Sequence, residues 1–205
     1  MGIYGDQILP RLQDKVMKRK GTGEVRSRVC SGLSGDVVEV GFGTGLNVPY
    51  YPPEVRKVFA VEPSRVCMHL AEERIAHSKV DVELAGLTGE HLDLPSESFD
   101  TGLSTWTLCT IPNLAAALDE LRRVLKSGSL FHFVEHGHAP DVTTANWQRR
   151  IEPINKKIAG GCHLTRDVPE YLERAGFQIE HLDTYYFEGE PKPFGYTFEG
   201  RAMKT

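Results

Sequence analysis

The chain has 205 residues with 24 Lys+Arg against 28 Asp+Glu, a formal net charge of −4, which is length for one good core and short for two. Apolar residues make up 40% before the 20 Gly are counted, which excludes a disordered chain. The near balance of charge excludes nucleic acid as a partner of the whole surface. The basic excess lies at one end, where residues 1–28 hold seven basic and three acidic side chains, the composition of a solvated arm.

In chain order, strand-sized apolar runs fall at Val37–Val40, Val58–Val61, Val80–Ala85, Phe99–Ser104 and Leu130–Glu135. Their near-continuous hydrophobicity is that of strands covered by helices on both faces. Cys67, Leu70, Ala71 and Ile75 recur at helical spacing between the second and third runs, behind a Pro63-Ser64 start; Leu114, Leu118, Leu121 and Leu125 do so between the fourth and fifth. Strand and helix in alternation predict a parallel sheet with right-handed crossovers. Beyond residue 140, Trp147, Ile151, Ile154 and Ile158 form one stripe expected to face the core, with Pro153 expected to kink or interrupt the helix. A short helix over Val168–Ala175 should end at Gly176. Phe177–Phe187 and Phe194–Ala202 should close the chain as an antiparallel hairpin.

The strongest signal is Val37-Val38-Glu39-Val40-Gly41-Phe42-Gly43-Thr44-Gly45, a buried strand running into a turn with glycine at alternate positions. Such a turn lets a ligand approach the backbone. Glu62 stands at the end of the next strand, where a carboxylate can accept hydrogen bonds from both ribose hydroxyls. The dinucleotide fingerprint needs a third glycine where this chain has Leu46, which disfavours a nicotinamide oxidoreductase. Glu39, two residues before Gly41, suits an ammonium group better than a phosphate. A cationic amino-acid nucleoside, S-adenosylmethionine, matches these features together.

At these residues, with Glu62-Pro63-Ser64 and Ser98-Phe99-Asp100, the chain resembles class I S-adenosylmethionine-dependent methyltransferases. Thr88-Gly89-Glu90, Leu94-Pro95 and Leu121-Arg122-Arg123-Val124-Leu125-Lys126 resemble the ubiquinone/menaquinone-type methyltransferase domain, although Ser127-Gly128-Ser129 stands where members usually have Pro-Gly-Gly. Leu108-Cys109-Thr110, Val134-Glu135-His136, Trp147-Gln148 and Gly161-Cys162-His163-Leu164-Thr165-Arg166 resemble the thiol S-methyltransferase and phosphatidylethanolamine-methyltransferase-like branch. The resemblance implies a Rossmann-like doubly wound α/β fold: seven strands, mostly parallel with an antiparallel last strand, in the order 3-2-1-4-5-7-6. It implies one domain over residues 1–205, with residues 1–34 an N-terminal helical arm or lid. The implied cofactor residues are Glu39, Gly41, Phe42, Gly43, Gly45, Asn47, Glu62, Pro63, Ser64, Thr88, Gly89, Glu90 and Thr105.

Methyl transfer needs in-line placement of a nucleophile and, for some acceptors, removal of a proton. His136 and His163 are the candidate bases, and Tyr4, Trp106, Cys109 and Trp147 the candidate acceptor contacts. His132, His136 and His138 lie along one strand that cannot easily turn all three onto one ion, so no metal is expected. The function expected is methyl transfer from S-adenosylmethionine to a small apolar acceptor, a thiol, quinone-like ring or lipid headgroup. A noncatalytic S-adenosylmethionine-binding domain is the alternative. With widely spaced cysteines and no signal or membrane segment, a cytoplasmic monomer or homodimer is expected, with at most peripheral membrane contact.

Overall fold

Val37, Val38, Glu39 and Val40 are buried in succession, which places the first strand in the middle of a sheet covered on both faces. The computed structural model describes residues 4–205, so residues 1–3 of the expected arm lie outside it. Its strands are β1 (Gly35–Val40), β2 (Val55–Val61), β3 (Asp81–Gly86), β4 (Phe99–Thr105), β5 (Leu125–His136), β6 (Phe177–Tyr186) and β7 (Tyr196–Lys204). They form one seven-stranded sheet in the order β3-β2-β1-β4-β5-β7-β6. Pairings from β3 to β5 are parallel, and β7 runs antiparallel to both β5 and β6. The hairpin expected from the last two apolar runs is therefore present, with its second strand inserted next to β5.

Among the described residues seven α-helices accompany the strands: α1 (Leu9–Val16), α2 (Lys20–Cys30), α3 (Arg65–Ala76), α4 (Leu114–Val124), α5 (Val142–Ile158), α6 (Val168–Arg174) and the short α7 (Lys192–Gly195). Side-chain caps set four of the starts. Ser64, Asn113, Asp141 and Asp167 each accept a backbone N–H from the first turn of α3, α4, α5 and α6, satisfying donors that a helix leaves unpaired. One face of the sheet is closed by α4 and α6, where Leu114, Leu118 and Leu121 pack on Val38, Phe131 and Phe133. The other is closed by α2, where Val25 and Val29 pack with Val37, Leu103 and Val134. Truncating a fully buried member such as Leu118 to alanine removes about 2–5 kcal/mol of stability.

Of the expectations for α5, an interruption at Pro153 and a core-facing stripe are corrected. The helix continues through Pro153; Pro153 and Arg149, whose carbonyl loses its helical donor, are exposed, so water can take the missing hydrogen bond. Most of the apolar stripe also faces outward: Trp147, Ile154 and Ile158 are each more than half exposed, at 52%, 64% and 55%, while Ile151 packs inward against Cys109, Cys162 and Leu164. The inward face is polar because it ties down loops. Gln148 accepts the Ala139 N–H at 2.9 Å and donates to the Gly137 carbonyl at 2.9 Å, while Asn155 donates to the Cys162 carbonyl at 2.9 Å.

Candidate active site

The turn after β1 lies at the carboxyl ends of the central strands, where ligands bind in open α/β sheets. Gly41 and Gly43 both have positive φ, +80° and +59°, yet their side-chain hydrogens are needed for different reasons. A Cβ on Gly41 would sit 2.0 Å from Thr107 Oγ1, so this glycine admits the loop after β4. A Cβ on Gly43 would meet nothing nearer than the Gly41 carbonyl at 3.9 Å, so it borders open space. The Gly43 N–H donates to Glu62 Oε2 and the Ser64 N–H to Glu62 Oε1, both at 2.8 Å. Burial raises the Glu62 pKa against these two donors. Each carboxylate oxygen keeps a further lone pair for a ligand hydroxyl.

Beneath the turn lies a buried polar floor. Glu39 is fully buried and accepts hydrogen bonds from Asn47 Nδ2 at 2.8 Å and from the Tyr51 hydroxyl. Burial pushes its carboxyl up to about 7 against those donors. Arg26, from α2, donates to Asn47 Oδ1 at 2.6 Å and Thr105 Oγ1 at 2.9 Å, and its guanidinium lies 4.8 Å from the Trp106 ring centroid. Its Nε is buried and has no partner among the described residues. Phe42 turns inward and packs with Val48, Ala60 and Ala71. Asp14 of α1 accepts from Thr44 Oγ1 at 2.7 Å and Arg74 Nη2 at 2.9 Å, joining the arm to the glycine turn and α3. On the far side of the turn, a Cβ at Gly89 would come within 3.0 Å of Val40, and Glu90 accepts the Asn113 N–H at 2.6 Å. Thr88 is exposed and accepts the Glu90 N–H at 3.2 Å.

A second buried carboxylate shapes the neighbouring loop. Glu135, at the end of β5, accepts the N–H groups of Thr107 and Leu108 at 2.8 Å and of Cys109 at 3.2 Å. Burial raises it to about 7 despite those donors. Buried Arg166 holds the same loop by donating to the carbonyls of Leu108 and Ile111, and the His163 N–H donates to the Cys109 carbonyl at 2.9 Å. Trp106 enters the loop at a φ of +51°, a conformation that costs a non-glycine residue about 1–3 kcal/mol and is concentrated at functional sites. Its N–H is fixed on the Val134 carbonyl at 2.7 Å.

These contacts bring Cys109, His136 and Cys162 together, their sulfur and ring nitrogen atoms lying within 4.8 Å of one another. Cys109 and Cys162 are buried and His136 is partly exposed. The Cys109 thiol and the His136 imidazole beside it draw the Cys162 pKa down, against burial. Burial opposes charge on His136, but Cys162 and Glu135 outweigh it and raise the imidazole. His163 turns instead toward Glu152, with Nδ1 3.5 Å from Oε1, and burial with Arg166 nearby lowers its pKa. Tyr4 is exposed and donates to the Ile158 carbonyl at 2.7 Å; Trp147 lies on the outer face of α5 with Arg150 over its ring. His132 faces the α2 side, its Nδ1 2.9 Å from the Val29 carbonyl.

Sequence reasoning singled out Glu39, the glycines, Glu62 and His136, but missed Arg26, Asp14, Tyr51 and the partnership of Cys162 with Cys109. An arginine inside a basic arm carries no mark of burial in sequence. Cys109 and Cys162 are 53 residues apart and meet only through the loops that Glu135 and Arg166 organise.

A family model for a methyltransferase domain matches residues 38–133. Thiol S-methyltransferase TMT1B of Rattus norvegicus is 34% identical over 186 residues, covering 84% of this chain and 73% of that protein. The chain belongs to the S-adenosylmethionine-dependent methyltransferases. The Homo sapiens TMT1B protein is 30% identical over 205 residues, covering 96% of this chain and 83% of its own. A phosphatidylethanolamine N-methyltransferase of Cereibacter sphaeroides is 29% identical over 121 residues, covering 58% of this chain and 57% of that one. A solved methyltransferase from Aquifex aeolicus shares the fold, with a TM-score of 0.68 at 20% identity over 96% of this chain and 98% of that one.

The methyltransferase is thus an enzyme whose cofactor is S-adenosylmethionine, which replaces the noncatalytic and nicotinamide alternatives. Its residues fit that cofactor. Gly43 borders open space, and Glu62 beside it keeps acceptor capacity suited to the hydroxyls of the cofactor's ribose. When bound, S-adenosylmethionine supplies a methyl group made electrophilic by a sulfonium.

Proposed function

We propose that this methyltransferase methylates the sulfur of a small apolar thiol. The observation that carries the reading is the Cys109, His136 and Cys162 group at the end of the loop that packs on Gly41. A thiol needs an apolar wall and help in reaching its thiolate form, the nucleophilic state of sulfur. The relatives named above as thiol S-methyltransferases support the same acceptor.

In this reading Glu62, Pro63 and Ser64 hold the ribose, and Thr88, Gly89 and Glu90 border the adenine. The backbone of Gly41–Gly45 faces the methionine portion. Asn47 and Thr105 position Arg26, whose charge faces the cofactor carboxylate. Glu39 has both oxygens engaged by Asn47 and Tyr51, so it sets the floor and contributes field without touching the ammonium. Trp106 and Cys109 wall the acceptor, Tyr4 and Trp147 form its outer rim, and His136 stabilises the acceptor as a thiolate. His163, turned to Glu152, holds the turn before Leu164. The α1–α2 arm works as a lid fastened by Asp14.

Four free, buried cysteines support a reducing, cytoplasmic setting. The protein works as a monomer or homodimer without nucleic acid. Trp147, Ile154 and Ile158 beside Arg150 and Lys157 offer a surface for peripheral membrane contact. Among the described residues no helix is long and apolar enough to cross a membrane. The test is methyl transfer from S-adenosylmethionine over matched thiols, phenols, quinols and amines. Thioether formation from the thiols is expected, and transfer confined to amines or quinols would overturn the thiol assignment.

A further inference from the structure

Cys109, His136 and Cys162 offer two sulfurs and one imidazole nitrogen within 4.8 Å of one another, a donor set suited to a thiophilic divalent ion such as zinc. The three come from separate segments: the loop after β4, the end of β5 and the turn after α5. Each is fixed by its own backbone bonds. The Cys109 N–H is held by Glu135, the Cys162 carbonyl by Asn155, and the Gly137 N–H beside His136 by the Tyr196 carbonyl at 3.1 Å. Pinned backbones around three convergent donors make a preorganised site rather than a chance encounter of mobile side chains. Leu164, Ile151 and Ala159 pack around the two cysteines, giving the low-dielectric surroundings in which a thiolate is best neutralised by a metal.

We propose that Cys109, His136 and Cys162 bind one zinc ion and that the acceptor thiol takes its fourth position. Structural zinc sites are closed by four protein ligands, whereas sites with three leave one place for water or substrate. His136, the one partly exposed member, marks the side from which that fourth ligand enters. On binding, the acceptor S–H bond breaks, its proton passes to solvent and a sulfur–zinc bond forms. In the transfer, a carbon–sulfur bond to the acceptor forms as the methyl–sulfonium bond breaks, with the electron pair remaining on the departing sulfur. The neutral thioether is a weak zinc ligand and leaves. The sulfur partner rests on the thiol reading above; the metal site itself does not.

The test begins with metal analysis of the purified full chain, followed by removal of the ion and titration with cobalt(II). About one zinc per chain is expected, and cobalt should give the visible ligand-field and thiolate charge-transfer bands of a tetrahedral site. Cys109→Ser and Cys162→Ser should lose the ion while keeping S-adenosylhomocysteine affinity, whereas Cys67→Ser, on α3, should keep both. A small alkanethiol should shift the cobalt bands. Metal-free native protein with no thiolate band on titration, or a disulfide between Cys109 and Cys162, would overturn the site without relying on any variant. Full metal occupancy with bands indifferent to thiol would overturn the fourth-position assignment. Thiol methylation that persists undiminished in metal-free enzyme would do so as well. The thiol reading fails separately, if metal binds as expected and only amines or quinols are methylated.

Discussion

Asp14 Oδ1 accepts a hydrogen bond from Thr44 Oγ1 at 2.7 Å, fastening the first helix of the arm to the glycine turn after β1. The same carboxylate pairs with Arg74 and Lys18. Those partners hold its pKa below the usual range, against the effect of burial. A cofactor that orders the turn should therefore also order the arm. S-adenosylhomocysteine is expected to slow tryptic cleavage after Lys15, Lys18 and Arg19, and Asp14→Ala to remove most of that protection. Timed proteolysis with and without the ligand measures it. Equal cleavage rates in all four conditions would count against a lid.

Gly41→Ala and Gly43→Val should fail in different ways. The Gly41 variant drives a methyl group into Thr107, so a stability loss of at least about 2 kcal/mol is expected, read from denaturant unfolding. The Cβ of Gly43→Val meets nothing nearer than the Gly41 carbonyl at 3.9 Å, so the variant pays chiefly for its positive φ, about 1–2 kcal/mol. The variant should remain folded while S-adenosylhomocysteine affinity falls more than about tenfold, about 1.4 kcal/mol. Calorimetry showing unchanged affinity would place the cofactor elsewhere.

Glu62 and Glu39 are likewise distinguishable. Glu62→Ala removes the acceptor of two backbone donors and, in the proposed site, of the ribose, and should weaken cofactor binding by about 1–3 kcal/mol. Glu39→Gln retains an oxygen for Asn47 and meets Tyr51 with an amide, so binding should weaken by less than about 1 kcal/mol. A larger loss at Glu39 than at Glu62, in parallel titrations, would mean that Glu39 touches the ligand directly.

Glu39 and Glu135 both have carboxyls raised from 4.5 to about 7. In the folded state each holds its proton more tightly than in the unfolded chain, so between these values the native protein binds more protons and stability falls as pH rises. The penalty is absent below about pH 4.5 and complete above about pH 7, on the order of 3 kcal/mol for a fully buried group. Unfolding free energies measured at pH 5.5 and 8 should therefore favour the lower pH. Glu39→Gln should flatten the difference, and an identical slope in that variant would refute the assignment.

Much of the sheet was legible because its central strands, β1, β4 and β5, are buried on both faces and write continuous valine, leucine and phenylalanine into the sequence. The glycine turn and Glu62 were legible for the same local reason, a fixed spacing after consecutive strands. The orientation of α5 was not. Periodicity locates an apolar stripe without saying which way it faces, and here Gln148 and Asn155 are drawn inward by the unpaired backbone groups of two loops. The convergence of Cys109, His136 and Cys162 was equally invisible, since it depends on Glu135 folding three consecutive N–H groups around its carboxylate.

The most direct test of the account is a single-turnover reaction with methyl-labelled S-adenosylmethionine and a small alkanethiol, the products identified by mass. Labelled thioether and S-adenosylhomocysteine should form in equal amounts, and Gly43→Val should form far less of both at cofactor concentrations that half-saturate the native enzyme. Tight cofactor binding with no label transferred to sulfur, or transfer that survives Gly43→Val unchanged, would contradict it.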